Sequence, residues 1–439
     1  MAQKETISGF SKFTPMEKVQ WVQDEFGLPS EYAAVLASHL HPDKELQSLY
    51  NEFSENTVSA FHLPFGLAPN FKINGKWFVV PMAIEESSVV AAVSNAAKFW
   101  AGHGGFNAQV EKPIKTGQVH FQWTGQPDFL KELFRQKRTF LIRSLDPLTA
   151  SMQNRGGGIS DISLVDLTGT LSDYYQLHTE FGTGDAMGAN FINTVLEALA
   201  VKWQAVVKEA VVDQNMTGEL MIVMSILSNF TPGSRVKATV ETDVRSFDSF
   251  DPKLSGLAFA EKFVRATEIA HHDISRAVTH NKGIFNGIDA VVIATGNDFR
   301  AVEACGHAYA ARQGSYCSLS RAEISGNVFR FELELPMSVG SVGGLTSLHP
   351  LARASLKILQ DPGAEELMMI IASTGLASNF SAIRSLITGG IQQGHMKMHL
   401  SNILRQLGAD EEQRNSAMDY FSNRTVSYAD VRKFISDTK

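Results

Sequence analysis

A chain of 439 residues with 44% apolar content has material for roughly three folding units of about 150 residues each, or one large domain with insertions. Its 39 Lys+Arg against 46 Asp+Glu leave a formal charge of -7 with no acidic or basic block, so sequence-independent attraction to nucleic acid or anionic lipid is not expected. The 2 cysteines, Cys305 and Cys317, exclude a disulfide framework and a thiolate metal cluster and suit a reducing compartment. The longest apolar runs, such as Leu220 to Met224 and Ala290 to Ala294, fall short of the ~20 residues that span a bilayer. The first residues mix charge with polarity and carry no apolar signal region. The expectation is a cytoplasmic protein with no membrane helix.

Taken in order, the apolar residues from Thr14 to about Tyr50 recur at spacings of three and four, which predicts two or three helices. From Val58 to Met82 short apolar runs take over, with Asn74-Gly75 as a hairpin turn between two strands. A helix of small residues follows, placing Glu86 where a strand ends and a helix begins. Residues of about 111 to 230 read as a separate α/β unit. Its strands are expected at Val119 to Thr124, Thr139 to Leu145 and Ile162 to Thr168, with a triple-glycine break at Gly156 to Gly158 and a helix from Ala186 to Ala210. Phe259 to Thr279 reads as one helix and Asp289 to Ala294 as a buried strand ending at Gly296-Asn297-Asp298. The tail after Gly375 reads as helical and broken at Gly389-Gly390, Gly394 and Gly408, a small appendage hinged on glycine.

Three constellations could carry chemistry. Gly184 to Asn190, GDAMGAN, opens a helix, and glycines there let backbone amides approach a pyrophosphate at the positive helix end. The pattern is not the dinucleotide G-x-G-x-x-G, and a plain helix cap by Asp185 is the competing reading. Lys282 precedes Asp298 by sixteen residues; a lysine held by a carboxylate in a closed pocket can stabilise an oxyanion, while the alternative is a surface salt bridge. His395 and His399, four apart in GHMKMH, have metal-ligand spacing without H-E-x-x-H or a nearby cysteine, so no metal site is expected and a lone general-acid histidine fits better.

Together these segments resemble the soluble class II form of 3-hydroxy-3-methylglutaryl-CoA (HMG-CoA) reductase. The resemblance rests on ENTVSAFHLPFGLAPNF from Glu55, IEESSVVAA from Ile84, RGGGISDI from Arg155, GDAMGAN from Gly184, AVTHNKGIFNG from Ala277, ATGNDFRAVEA from Ala294, PMSVGSVGGLTSLHPLA from Pro336 and GIQQGHMKMH from Gly390. It implies an α+β fold: a large substrate-binding domain with a central helix, an inserted ferredoxin-like dinucleotide-binding domain, and a small helical C-terminal flap. The implied divisions are 1–110 and 231–376 for the large domain, 111–230 for the insert and 377–439 for the flap. The implied reaction interconverts HMG-CoA and mevalonate plus CoA by two hydride transfers. A CoA-thioester hydrolase or lyase, or a non-catalytic CoA-binding protein, is the rival reading.

The family's catalytic residues map onto Glu86, Lys282, Asp298 and His395. By this likeness Lys282 stabilises the alkoxide, Glu86 protonates the aldehyde oxygen, Asp298 links the two in a proton network, and His395 protonates the departing CoA thiolate while the flap closes. Substrate-anchoring positions map onto Arg276, Ser88, Asn286 and Asn379, with Ser378 where relatives commonly have glutamine. Cofactor positions map onto Asp185, Met187, Gly188, Asn190 and Asn229. Thr149 stands where NADH-preferring members place an acid, with Asp146 three residues back, so the cofactor is expected to be NADPH or NADH with a lean to NADPH. The resemblance also implies a homodimer, or a multiple of it, with the ENTVS segment at the contact.

Overall fold

The computed structural model describes residues 6–111, 113–388, 400–421, 424 and 426–437. Three helices, α1 (Pro15–Phe26), α2 (Ser30–Ser38) and α3 (Lys44–Glu52), lead to the hairpin β1 (Phe65–Ile73) and β2 (Lys76–Ala83). Asn74 and Gly75 both have positive φ, at 48° and 83°, the type I′ geometry whose twist matches paired strands. Helix α4 (Val89–Ala101) follows, and a short strand β3 (Asn107–Val110) leads into the insert.

The insert runs β4 (Ile114–Trp123), α5 (Pro127–Ser144), α6 (Asp146–Gln153), β5 (Gly158–Asp166), β6 (Tyr174–Gly182), α7 (Ala189–Asp213) and β7 (Leu220–Ser228). Its antiparallel sheet has the order β5-β6-β4-β7, the split βαββαβ arrangement of ferredoxin-like folds. The insert has its own core, where Trp123, Phe121, Tyr175 and Trp203 are buried. The expected strand at Thr139 to Leu145 is instead the end of α5. Leu130, Leu133, Phe134 and Leu141 continue one buried stripe at helical spacing, and that stripe outweighs the β-like run TFLI.

The main body resumes with β8 (Arg235–Asp243), α8 (Gly256–His272), α9 (Ile274–Ala294), α10 (Phe299–Ala310), β9 (Ser320–Ser325), β10 (Val328–Pro336), α11 (Gly344–Leu348), α12 (Pro350–Ile358) and α13 (Ala364–Ile387). A second antiparallel sheet, β3-β8-β10-β9, backs the helices. The helix expected from Phe259 to Thr279 breaks at Asp273, whose carboxylate accepts from the amides of Ser275 (2.9 Å) and Arg276 (3.4 Å) and so starts α9. The strand expected at Asp289 to Ala294 is the last turns of α9. That helix is buried on several faces, from Ala277 through Ile284, Phe285, Ile288 and Val291, so its end shows no amphipathic period by which to tell helix from strand.

Helix α13 packs along α9, and small residues let the two backbones approach. A Cβ at Gly287 would lie 2.6 Å from the Thr374 carbonyl oxygen and 2.8 Å from Ser378 Cβ. The 24-residue α13 is long and apolar enough to cross a membrane by composition, but 78% of its apolar window is buried inside the protein. It runs through the division expected at 376, and Leu376, Ala377, Phe380 and Ile383 pack in the main core. Residues 400–406 and the helices Glu411–Tyr420 and Tyr428–Asp437 build a third, small core around Leu404, Phe421 and Val431.

Replacing Gly287 by Ala is expected to lower unfolding stability by roughly 1–3 kcal/mol, because the new methyl meets fixed backbone rather than a flexible side chain. A urea midpoint equal to wild type would show that α9 and α13 can separate freely.

Candidate functional site

Three connections from distant parts of the chain meet between the insert and the body. The first follows α9, where Gly296 (φ 70°) reverses the chain and Asn297 becomes buried. The second is 337–342, after β10. The third is 183–188, the GDAMG turn ahead of α7. Asn297 clasps Gly340 in both directions: its Nδ2 donates to the Gly340 carbonyl (3.0 Å) and its Oδ1 accepts from the Gly340 amide (2.8 Å). Gly340 in turn lies flat against the GDAMG turn, where a Cβ would come within 2.5 Å of the Met187 nitrogen. The Ser341 amide donates to the Asp185 carbonyl at 2.9 Å and closes the contact.

These connections frame a cavity of about 300 Å³ lined by Lys115, Met187, Asn229, Asp298 and Ser338, among others. Two expected cofactor positions and one expected catalytic carboxylate therefore share one cleft. Gly188 is the N-cap of α7 with φ 76°, and Asn190 is exposed in the helix's first turn. Asp298 caps α10, its Oδ1 accepting from the Ala301 amide at 3.2 Å while Oδ2 pairs with Arg300 at 3.3 Å. Asp185 acts as a cap, but of a different helix than expected. Its Oδ1 accepts from the Ala364 amide (2.7 Å) at the head of α13, while α7 has no side-chain cap.

A second cavity, of about 520 Å³, lies on the other side of the Asn297 turn, lined by Glu85, Asn286, Asp289, Asn297 and Arg300 among others. Glu86 follows directly, half-buried between β2 and α4, and its carbonyl accepts from the Val89 amide. Ser88 is the N-cap of α4 without a side-chain cap bond. Arg276 sits half-buried in the first turn of α9, where burial works against its charge and Asp273 partly offsets that.

Lys282 and Asp298 form no ion pair among the described residues, where Asp298 pairs with Arg300. Lys282 is exposed one turn before Asn286, and the helix from there to Ala294 runs on for about 18 Å at 1.5 Å per residue. Asn379 is an interior residue of α13. It is 1% exposed, its Oδ1 accepts from the Ser320 hydroxyl at 2.7 Å, and its amide faces the His280 carbonyl at 3.5 Å. Ser378 is likewise occupied, its hydroxyl donating to the Gly283 carbonyl at 2.8 Å. Thr149 is buried inside α6 and bonded to the Leu145 carbonyl, so its lack of charge says nothing about a ribose; the exposed acid nearby is Asp146. His395 and His399 lie outside the described residues.

Sequence reasoning missed Lys115 and the acid pair Asp289 and Glu303, and named Asn297 only as part of the polar end of the Asp289 to Ala294 segment. Lys115 had a signal, since it shares the parity of Gly117, Val119, Phe121 and Trp123, all inward on β4. The acid pair had none, because α9 and α10 bring it together only on folding. Burial, and then the Glu303 carboxyl, push Asp289 up to about 8, and its Oδ1 is buried without a partner.

Between the unfolded pKa near 4 and about 8 the folded chain thus holds a proton that the unfolded chain has lost, so this pair makes stability fall as pH rises. Asp289→Asn is expected to flatten that slope and to stabilise the protein at pH 8 by roughly 1 kcal/mol, read from thermal midpoints across pH. A variant with the wild-type slope would remove the pair as its source.

Comparison with known proteins bears on all of this. The family model described as hydroxymethylglutaryl-coenzyme A reductase matches residues 16–400. The 3-hydroxy-3-methylglutaryl-coenzyme A reductase of Archaeoglobus fulgidus is 39% identical over 416 residues, covering 93% of this chain and 88% of that protein. A probable enzyme of the same name from Borreliella burgdorferi is 33% identical over 354 residues, covering 80% and 78%. Among solved structures, the class II 3-hydroxy-3-methylglutaryl-CoA reductase from Streptococcus pneumoniae bound to NADPH in open conformations superimposes with a TM-score of 0.72 at 34% identity, over 97% of this chain and 100% of that chain.

Proposed function

Since the chain belongs to the hydroxymethylglutaryl-coenzyme A reductase family, we propose that the cleft at the Asn297–Gly340 clasp is where its reaction takes place. The enzyme interconverts HMG-CoA and mevalonate plus CoA, and the nicotinamide cofactor, when bound, supplies the hydrides in two successive transfers. The observation that carries the site is the sharing of one cavity by Met187, Asn229 and Asp298. The residues present fit a dinucleotide: a left-handed glycine, Gly188, opens α7 beside the cavity and leaves the helix end clear of a side-chain cap.

In this reading Lys282 donates to the oxygen of the reacting carbonyl as charge develops there. Glu86, half-buried at the mouth of α4, delivers a proton to the aldehyde oxygen in the second reduction. Asp298, held by the Ala301 amide, orients the lysine and shares its proton network with Glu86. His395 protonates the departing thiolate. Asn286 and Ser88 flank the substrate on the Glu85 side, and Arg276 clamps the HMG carboxylate. Asp185, Met187, Gly188, Asn190 and Asn229 hold the cofactor side, Asp185 with its carboxylate pinning the turn to α13.

Lys282 and Asp298 form no ion pair among the described residues and about 18 Å of helix lies between Lys282 and the end of α9, which supports a catalytic set completed by a second copy. We infer a homodimer. Exposed Phe61, Leu63, Phe65, Leu67, Trp77 and Val79 next to the ENTVS segment form the apolar surface that such a contact covers. A cytoplasmic location and a biosynthetic or catabolic role in isoprenoid metabolism follow from the same reading. Cofactor preference rests between exposed Asp146, which would accept a ribose hydroxyl, and the NADPH of the pneumococcal relative.

The assay follows oxidation of NADPH or NADH on addition of HMG-CoA, with two reduced cofactors consumed per thiol released. Thiol release without cofactor oxidation would identify a hydrolase instead. Lys282→Ala and Asp298→Asn are each expected to be inactive, yet mixed and reassociated they should regain roughly a quarter of wild-type activity, because half the dimers are mixed and each has one intact site. No recovery would place both residues in one subunit's site. His395→Gln is expected to slow HMG-CoA reduction roughly 10²-fold more than reduction of free mevaldehyde, since only the thioester expels a thiolate. Equal losses would take the histidine out of that step.

A further inference from the structure

The cavity of about 300 Å³ contains one group to which the proposed mechanism gives no task. Lys115, at the start of β4, is 5% exposed. Its ammonium donates to the carbonyl oxygens of Ala186 at 2.8 Å and Met187 at 2.7 Å. Two neutral acceptors satisfy two of its protons and leave its charge uncompensated.

The charged groups around it are committed elsewhere. Its partner across β6 is buried Phe181, so Glu180, the next residue, points to the opposite face of the sheet. The Asp185 carboxylate is turned to the Ala364 amide, and that of Asp298 to the Ala301 amide and Arg300. Glu303, farther along α10, is paired with Asp289. The segments 337–342 and 227–229 carry no titratable residue. Burial without a counter-charge pulls the Lys115 ammonium down to about 7, so a modest change of charge beside it alters its protonation at physiological pH.

We propose that Lys115 sets the enzyme's preference between the two redox states of its cofactor, its ammonium favouring the neutral dihydronicotinamide ring over the cationic nicotinamide ring in the cleft that it shares with Asp298. This rests on the reading of the cleft as the cofactor's reactive end. The warrant is electrostatic. The oxidised ring carries a positive charge that the reduced ring lacks, and two cations sharing one largely apolar cleft repel. Phosphates and riboses are common to both forms and cancel when their affinities are compared. Oxidised cofactor therefore binds with release of the Lys115 proton, and reduced cofactor does not require it. A hydride donor is thus held preferentially at low pH, and product cofactor is released more readily there.

The test is calorimetric titration of the purified full-length protein with NADPH, NADP+, NADH and NAD+ from pH 6 to 9. In wild type the ratio of the oxidised to the reduced dissociation constant is expected to be greatest at pH 6 and to fall roughly tenfold by pH 9, as the lysine loses its charge. Lys115→Met removes the charge and should hold the ratio low at every pH. Lys115→Arg keeps the charge and should hold it high, an opposite displacement that a merely structural role for the side chain would not produce. A pH-independent ratio in wild type, or an unchanged slope in Lys115→Met, overturns the proposal. If Lys115→Met fails to fold, the wild-type slope and its loss in Lys115→Arg decide the matter. Absence of binding by every cofactor form in wild type would instead refute the reading of the cleft itself, and the two failures are told apart by that control.

Discussion

The two hydrogen bonds between the Asn297 side chain and the Gly340 backbone are the constraint on which the site depends. They fasten the turn after α9 to the connection after β10, and both lie in the buried interior where an unmade amide bond would be costly. Gly340 has a second duty, because only a residue without a Cβ can lie so close to the Met187 amide. One asparagine and one glycine thereby bring the carboxylate of Asp298 to the same cleft as the turn that opens the insert's long helix.

Around this clasp α9 acts as a ruler. Arg276 is in its first turn, Lys282 and Asn286 follow one turn apart, and Asp298 stands just beyond its end. A helix enclosed by α4, α8, α13 and the hairpin cannot bend to shorten these spacings, since its neighbours pack against it at native density. On the facing helix, Asn379 accepts from the Ser320 hydroxyl and Ser378 donates to the Gly283 carbonyl.

The electrostatics of the two cavities are opposed. One holds a buried lysine whose charge is disfavoured, and the other a carboxyl pair in which burial and a like neighbour retain a proton. In each, the fold keeps an ionisable group close to neutrality at the pH where hydride and proton transfer must be coordinated. Residues of the single turn 295–298 line both cavities.

Much of this was legible in the chain itself. Segments such as IEESSVVAA, GDAMGAN and TGNDFRA identify the family because the identity and order of side chains are written locally, and the Asn-Gly hairpin follows from left-handed backbone at two positions. The structure alone decided which side chains are buried and which meet. Asp289 to Ala294 reads as a strand because a helix buried on several faces loses its polar stripe, and Thr139 to Leu145 because a short β-like run hides a longer helical one. The burial of Asn379 and the uncompensated ammonium of Lys115 are products of packing between segments far apart in the chain. Proximity and desolvation are properties of the assembled molecule, and no stretch of residues carries them by itself.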